Sequence, residues 1–140
     1  MKRRVRLGVF VDTAYWVARL NSRDALHPRA MALASQWTKA GTALMSSDAV
    51  LLETANFFAR SPLRAITIQA IRAIRASPCD IEPLSRELMI RAERRYEMHG
   101  DKQWSLTDCA SMEIMEDRRM EGVATTNHHF TQAGFNTLMG

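Results

Sequence analysis

The chain has 140 residues, a formal net charge of +4, and 46% hydrophobic against 24% charged residues. This length predicts one domain, 1–140, with one hydrophobic core, and the residue balance is that of an ordinary globular protein. No apolar run approaches the roughly 18 residues of a membrane span, and the cysteines, Cys79 and Cys109, suit neither a disulfide framework nor a metal motif, so we expect a reducing cytoplasm.

Short apolar strands alternate with helical segments along the chain. The pattern predicts strands at 5–11, 42–45, 79–83, 123–126 and 135–139, and helices at 13–20, 28–41, 48–60, 61–77, 85–99 and 105–122. Asp12 interrupts the apolar stretch after the basic start, which argues against a signal peptide. The alternation is typical of βαβ units, so we predict a three-layer α/β/α fold with a mostly parallel central sheet of four to five strands.

Two candidate site residues follow predicted strands. Asp12 follows the first strand, and Asn127 follows the strand at 123–126. Ligands of an open parallel sheet bind at the carboxyl ends of its strands, so both residues belong to the predicted ligand edge.

Two further acids have a structural and a functional interpretation. Glu53 lies among apolar residues, where a carboxylate is costly unless it is exposed, paired with Arg60 on the same helix face, or bound to a metal. Asp108 stands three residues after Ser105, which is the spacing of a helix-capping box and is compatible with a functional role. If these carboxylates converge with Asp12 they repel one another, and divalent cations that prefer oxygen ligands remove that repulsion.

Four segments, in this order along the chain, carry a family resemblance: VFVDTAYWVA, LLETANFFAR, DKQWSLTDCASMEIM and VATTNHHFTQAGF. They resemble the acid-bearing blocks of the PIN-domain ribonucleases, and within them the VapC-type toxins of toxin–antitoxin pairs. The resemblance implies a metal-dependent endoribonuclease in which one or two Mg²⁺ or Mn²⁺ ions are held by four residues, namely Asp12, Glu53, Asp108 and Asn127. The family usually has an aspartate where this chain has Asn127, which keeps an oxygen ligand but lacks the charge.

Thr13 and the two neighbouring histidines take supporting roles in this interpretation. Thr13 either hydrogen-bonds a ligand carboxylate or caps the first helix. His128 and His129 are not expected to be ligands, because adjacent helical residues point about 100° apart. We expect His129 to pack with Phe130 in the final turn and His128 to approach a phosphate.

The basic residues, 16 arginines against three lysines, favour a nucleic-acid partner, since guanidinium groups bind phosphate oxygens in pairs. Arg64, Arg72 and Arg75 lie on the helix at 61–77 as candidate RNA or partner contacts, and a solvated basic face is the alternative. The same helix is rich in isoleucine, and Ile71 and Ile74 either belong to a buried apolar face beneath the basic one or line a partner groove. The resemblance implies an RNA substrate, an antitoxin protein bound across this region, and a homodimer. The competing interpretation is a non-catalytic PIN-like module that binds RNA or protein.

Overall fold

The computed structural model describes residues 8–140 of the chain. In this range five strands form one sheet, all paired in parallel, in the spatial order β3-β2-β1-β4-β5. The strands are β1 (Val9–Val11), β2 (Leu44–Ser47), β3 (Asp80–Glu82), β4 (Gly122–Ala124) and β5 (Asn136–Thr137). The helices are α1 (Thr13–Leu20), α2 (His27–Ala40), α3 (Asp48–Phe57), α4 (Arg64–Ala76), α5 (Arg86–Met98), α6 (Leu106–Asp117) and α7 (His128–Gln132).

The predicted three-layer α/β/α fold with a parallel central sheet is confirmed. Residues 5–7 of the first predicted strand lie outside the described residues. The helix predicted at 105–122 ends at Asp117 instead, because Arg119 takes a left-handed backbone conformation (φ 54°), and Gly122, the predicted stop, opens β4. The five-residue α7 was not predicted.

The two central strands are buried on both faces. Phe10 and Val11 of β1 and Val123 and Ala124 of β4 have no exposed surface, as expected of a parallel sheet covered by helices. The Tyr15 ring of α1 completes the core on one side. Within residues 8–140 no helix is long and apolar enough to cross a membrane.

The sheet order creates a crevice between β1 and β4. From β1 the sheet continues through β2 and β3 on one side and through β4 and β5 on the other. Val11 pairs with Ala124, and the backbone N–H of Asp12 donates to the Ala124 carbonyl at 3.2 Å. Asp12 and Thr125 are therefore the first residues beyond two neighbouring strands, at the switch point where open α/β sheets bind ligands.

Candidate active site

Asp12 is the buried carboxylate of the crevice, with 4% of its surface exposed. Its Oδ2 accepts a hydrogen bond from the Thr125 hydroxyl at 2.8 Å, whereas Oδ1 is buried and has no hydrogen-bond partner in the described part of the chain. Burial raises the pKa of Asp12 from 3.8 to about 6, against the lowering effect of its hydrogen bonds. The negative charges of Asp108 and Glu53 raise this pKa further, so the three acids act on one another electrostatically.

Glu53 approaches the site from α3. Ser47 caps this helix by accepting a hydrogen bond from the Val50 N–H at 3.1 Å, and Glu53 lies at the edge of its buried face. The Thr13 hydroxyl donates to Glu53 Oε1 at 2.6 Å. The predicted hydrogen bond from Thr13 to a carboxylate of the site is therefore present. The alternative role of Thr13 as the cap of α1 is wrong, because Asp12 occupies the cap position. Arg60 is exposed and forms no ion pair within residues 8–140, so its predicted pairing with Glu53 is wrong.

Asp108 caps α6 and also lies near Asp12, so that its charge acts on that carboxylate. We call Asp12, Glu53 and Asp108 the acid cluster. The capping box is complete: Ser105 Oγ accepts from the Asp108 N–H at 3.0 Å, and Asp108 Oδ2 accepts from the Ser105 N–H at 3.1 Å. Asp108 is 6% exposed, and its Oδ1 also accepts a 3.2 Å hydrogen bond from Asn127 Nδ2. The cap fixes this carboxylate at the first turn of α6, where that turn meets the crevice.

Asn127 is the N-cap of α7, and its amide is oriented by two contacts. Its Oδ1 accepts the His129 N–H at 3.0 Å, and its Nδ2 donates to Asp108. The amide nitrogen, rather than the oxygen, therefore faces the neighbouring acid. An aspartate at this position would place a second carboxylate against Asp108, so asparagine replaces a repulsion by a hydrogen bond. A role of Asn127 as a metal ligand stays a prediction.

His129 lies in the final turn, as expected, but its ring contacts an acid of the site, which the sequence did not predict. Its Nδ1 lies 2.9 Å from Asp108 Oδ2, and a carboxylate acceptor makes Nδ1 the donor. Phe130 alone is fully buried, while His128 is exposed with its ring 4.8 Å from that of His129. The available sequence signal was an asparagine directly before a short helical segment, which is an N-cap pattern that fixes the directions of the next side chains.

Known proteins resemble this chain in sequence and in structure. A model of the PIN domain matches residues 9–136. The chain belongs to the PIN-domain family. The curated 23S rRNA-specific endonuclease VapC20 of Mycobacterium tuberculosis, from strains CDC 1551 / Oshkosh and ATCC 25618 / H37Rv, is 26% identical over 134 residues, covering 91% of this chain and 95% of the relative.

A crystal structure of the Mycobacterium tuberculosis VapC20, described as a sarcin–ricin loop cleaving toxin, superposes on this PIN-domain chain with a TM-score of 0.84. The two are 27% identical, and the match covers 95% of this chain and 100% of the other. The predicted resemblance to the PIN-domain ribonucleases and their VapC-type toxins is confirmed.

The donor set of this PIN-domain site suits a hard divalent cation. Asp12 Oδ1 is an orphaned buried oxygen, and Glu53 and Asp108 supply further carboxylates, the ligands that Mg²⁺ and Mn²⁺ prefer. Among the described residues no group of three or more His, Cys, Asp or Glu side chains is arranged so that it could hold a metal ion. Instead, each carboxylate accepts hydrogen bonds from protein groups. Asp12 accepts one from Thr125 and Glu53 accepts one from Thr13. Asp108 accepts hydrogen bonds from Ser105, Asn127 and His129.

The three predicted arginine contacts of the PIN-domain chain differ in their surroundings. Arg75 forms a surface ion pair with Asp48 at 2.6 Å, and Arg64 donates to the Ala59 carbonyl at 2.9 Å. Arg72 is exposed and has no ion pair in the described part of the chain. Arg75 is therefore the one of the three whose charge is paired with an acid, and the charges of Arg64 and Arg72 are available to a ligand.

The isoleucines of α4 divide between core and surface. Ile71 is only 9% exposed and Ile74 packs partly buried against the core, so these two isoleucines belong to the buried apolar face rather than to an open partner groove. Ile66 and Ile68 are 51% and 46% exposed. The apolar surface of this helix is therefore carried by its first half.

Proposed function

We propose that this chain is an endoribonuclease that hydrolyses RNA phosphodiester bonds with Mg²⁺ or Mn²⁺, as the toxin of a VapBC-type toxin–antitoxin pair. The observation that carries the proposal is Asp12 Oδ1, a carboxylate oxygen buried without a hydrogen-bond partner in the described residues, beside two further acids at the crevice. The likeness to the VapC20 endonuclease over most of both chains supports the same activity. We assign the activity to one nuclease domain, 1–140, acting in the cytoplasm.

Asp12, Glu53 and Asp108 would hold the cation, with Asn127 as the fourth residue of the set. When bound, the cation would supply an activated water for in-line attack on the phosphate and would stabilise negative charge on the leaving oxygen. Burial is the main cause of the raised pKa of Asp12, and a cation here would offset both that burial of charge and the smaller repulsion from Asp108 and Glu53.

The neighbouring side chains hold these carboxylates in position. Thr125 fixes one oxygen of Asp12 and leaves the other free, and Thr13 does the same for Glu53. His129 and the Ser105 N–H both donate to Oδ2 of Asp108, so this carboxylate cannot rotate freely. Orientation of this kind by hydrogen bonds to ligand carboxylates typically matters 10- to 100-fold in metal affinity or activity.

The substrate class follows from the relatives and from the charge of the chain. VapC20 acts on 23S rRNA and cleaves its sarcin–ricin loop according to its descriptions. A structured RNA is therefore the first substrate to test for this chain, whose net charge of +4 favours a polyanion.

The protein partners belong to the same proposal. Four exposed apolar side chains on α3 and α4 favour a protein surface here, and we assign it to the antitoxin: Leu52, Phe57, Ile66 and Ile68. The double variant Ile66→Ser/Ile68→Ser should keep its melting temperature and lose co-purification with the partner encoded beside it. Undiminished co-purification would place the antitoxin elsewhere. Gel filtration of the free chain tests the homodimer.

Incubation with RNA in EDTA, followed by return of Mg²⁺ or Mn²⁺, tests the nuclease itself. We expect cleavage only with the cation, and linear phosphate ends, because the attacking group is water. Acid–base chemistry by His128 and His129 would instead use the ribose 2′-hydroxyl and leave a cyclic 2′,3′-phosphate in EDTA. RNA binding without any product under either cation would support the non-catalytic binding module.

A further inference from the structure

A groove of about 650 Å³ runs between α5 and α6 and ends at α7. Its sides include Arg94, His99 and Lys102 from α5 and the loop after it, and Trp104 and Gln132 close its end. We call this the α5–α6 groove. None of these five residues takes part in the acid cluster described above.

The groove carries an excess of positive charge. Four cationic side chains line it, namely Arg91, Arg94, Arg95 and Lys102, against two carboxylates, Glu113 and Glu116. Arg91 and Arg95 are bound to acids of α6, since Arg95 Nε lies 2.6 Å from Glu113 Oε2 and Arg91 Nη1 lies 2.6 Å from Asp117 Oδ2. Their charges are thus largely neutralised.

Two cations remain for a ligand. Arg94 is exposed and has no ion pair within residues 8–140, and Lys102 has only a 3.4 Å contact with the exposed Asp101. The positive charge that faces solvent in this groove is therefore concentrated at these two residues.

The groove leads directly to the acid cluster. Trp104 precedes the cap of α6, and its Nε1 donates to Gln132 Oε1 at 2.9 Å. His129 lies three residues before Gln132 in α7, a rise of about 4.5 Å along the helix, and Trp104 directly precedes Ser105, the N-cap of α6, whose first turn carries Asp108. The end of the groove is thus formed by the same two short segments that carry Asp108 and His129.

The chemistry of the walls suits a nucleic-acid strand. Guanidinium and ammonium groups bind phosphate oxygens, and the half-buried His99 ring, held against Trp104 with 4.7 Å between ring centroids, gives a flat surface for a sugar or base. Met98, which is 77% exposed, adds an apolar side chain to the wall, whereas Ile66 and Ile68, assigned above to the protein partner, lie on α4.

We propose that the α5–α6 groove binds the RNA backbone flanking the cleaved phosphodiester, with Arg94 and Lys102 as its phosphate contacts. This inference rests on the proposed ribonuclease function, because it extends that site along the substrate. The groove supplies affinity for RNA independently of the acids that carry out the reaction.

The test compares two double variants of the full chain, Arg94→Gln/Lys102→Gln in the groove and Arg86→Gln/Lys39→Gln as the control. The control makes the same change of charge outside the groove, and Arg86 belongs to the same helix as Arg94. All four side chains are exposed, so both variants should keep the melting temperature. The binding of a fluorescently labelled RNA stem–loop is measured in EDTA over a range of salt concentrations, and cleavage is measured separately with Mg²⁺.

Each contact to a single-stranded phosphate contributes about 0.7 to the slope of log affinity against log salt, so losing two contacts should reduce the slope by about 1.4. Between 1 M and 0.1 M salt, the RNA affinity of the groove variant should therefore increase roughly 25-fold less than that of the wild type. The control should change the slope much less. If the wild type binds and cleaves RNA but both variants change the slope equally, the proposed role of the groove is refuted and the proposed ribonuclease function is not. Unchanged RNA affinity with loss of antitoxin co-purification would assign the groove to the protein partner and also overturn the proposal. Absence of RNA binding and cleavage in the wild type would remove the proposed function itself.

Discussion

The substitution Asp12→Asn isolates the electrostatic cost of the candidate site. The ionised Asp12 carboxylate is 4% exposed and one of its oxygens has no hydrogen-bond partner in the described residues. Its pKa is raised from 3.8 to about 6, chiefly by burial. A rise of about two pKa units corresponds to about 3 kcal/mol by which the charged group destabilises the metal-free fold at neutral pH.

The sign of the pH dependence follows from the raised pKa. Between pH 4 and pH 6 the folded protein binds the proton of Asp12 more tightly than the unfolded chain does. This group therefore adds stability as the pH falls through about 6, and the gain is complete near 3.8. The asparagine side chain does not titrate, so the difference between wild type and Asp12→Asn removes the background of all groups that do not interact with Asp12.

Urea unfolding in EDTA, followed by the fluorescence of the three buried tryptophans, measures the difference. From pH 7.5 to pH 4.5, the free energy of unfolding of the wild type should rise relative to that of Asp12→Asn by about 2 kcal/mol. The free energy of unfolding of the wild type minus that of Asp12→Asn should thus decrease as the pH rises. If this difference is constant from pH 4.5 to pH 7.5, or increases with pH, the argument that burial and neighbouring acids raise the pKa of Asp12 is refuted.

Three further substitutions test the contacts around the site and the scaffold behind it. Asn127→Asp should lower the melting temperature in EDTA, because it sets a carboxylate against Asp108, and should reduce the Mg²⁺ concentration needed for half-maximal cleavage. His129→Ala should lower kcat/KM by roughly 10-fold, since it removes one hydrogen bond that orients Asp108; an unchanged rate would contradict this role. Glu113→Gln should cost about 2 kcal/mol in urea unfolding, because it removes the charge of a carboxylate that pairs with both Arg91 and Arg95 and leaves Arg95 with Glu116 alone; an unchanged free energy of unfolding would contradict this.

Two predictions that depended on local patterns were confirmed. The apolar run before Asp12 forms β1 in the residues described, and the Ser105–Asp108 spacing forms a complete capping box. Alternation of strands and helices was enough for the parallel three-layer fold, because βαβ units allow few other arrangements. The two helices predicted at 48–60 and 61–77 are present as α3 and α4, and the residues around Pro62 separate them.

The contacts between distant segments could not be predicted in this way. The His129–Asp108 contact depends on α7, whose five residues are too few to show a helical period. Arg75 pairs with Asp48, 27 residues earlier, and no local spacing rule connects them. The burial of Ile71 depends on how α4 packs on the rest of the fold, which its own isoleucine content leaves open.

Cleavage by Asp108→Asn tests the central claim, a carboxylate cluster that uses a divalent cation to hydrolyse RNA. The substitution keeps the shape of the side chain, and its amide oxygen can still accept the capping hydrogen bond from the Ser105 N–H. The measurement is the single-turnover rate of RNA cleavage over a series of Mg²⁺ concentrations, with circular dichroism to check the fold. The account predicts a rate at least about 100-fold lower than wild type, which corresponds to about 2.7 kcal/mol of lost transition-state stabilisation. Cleavage by a folded Asp108→Asn at the wild-type rate would contradict it.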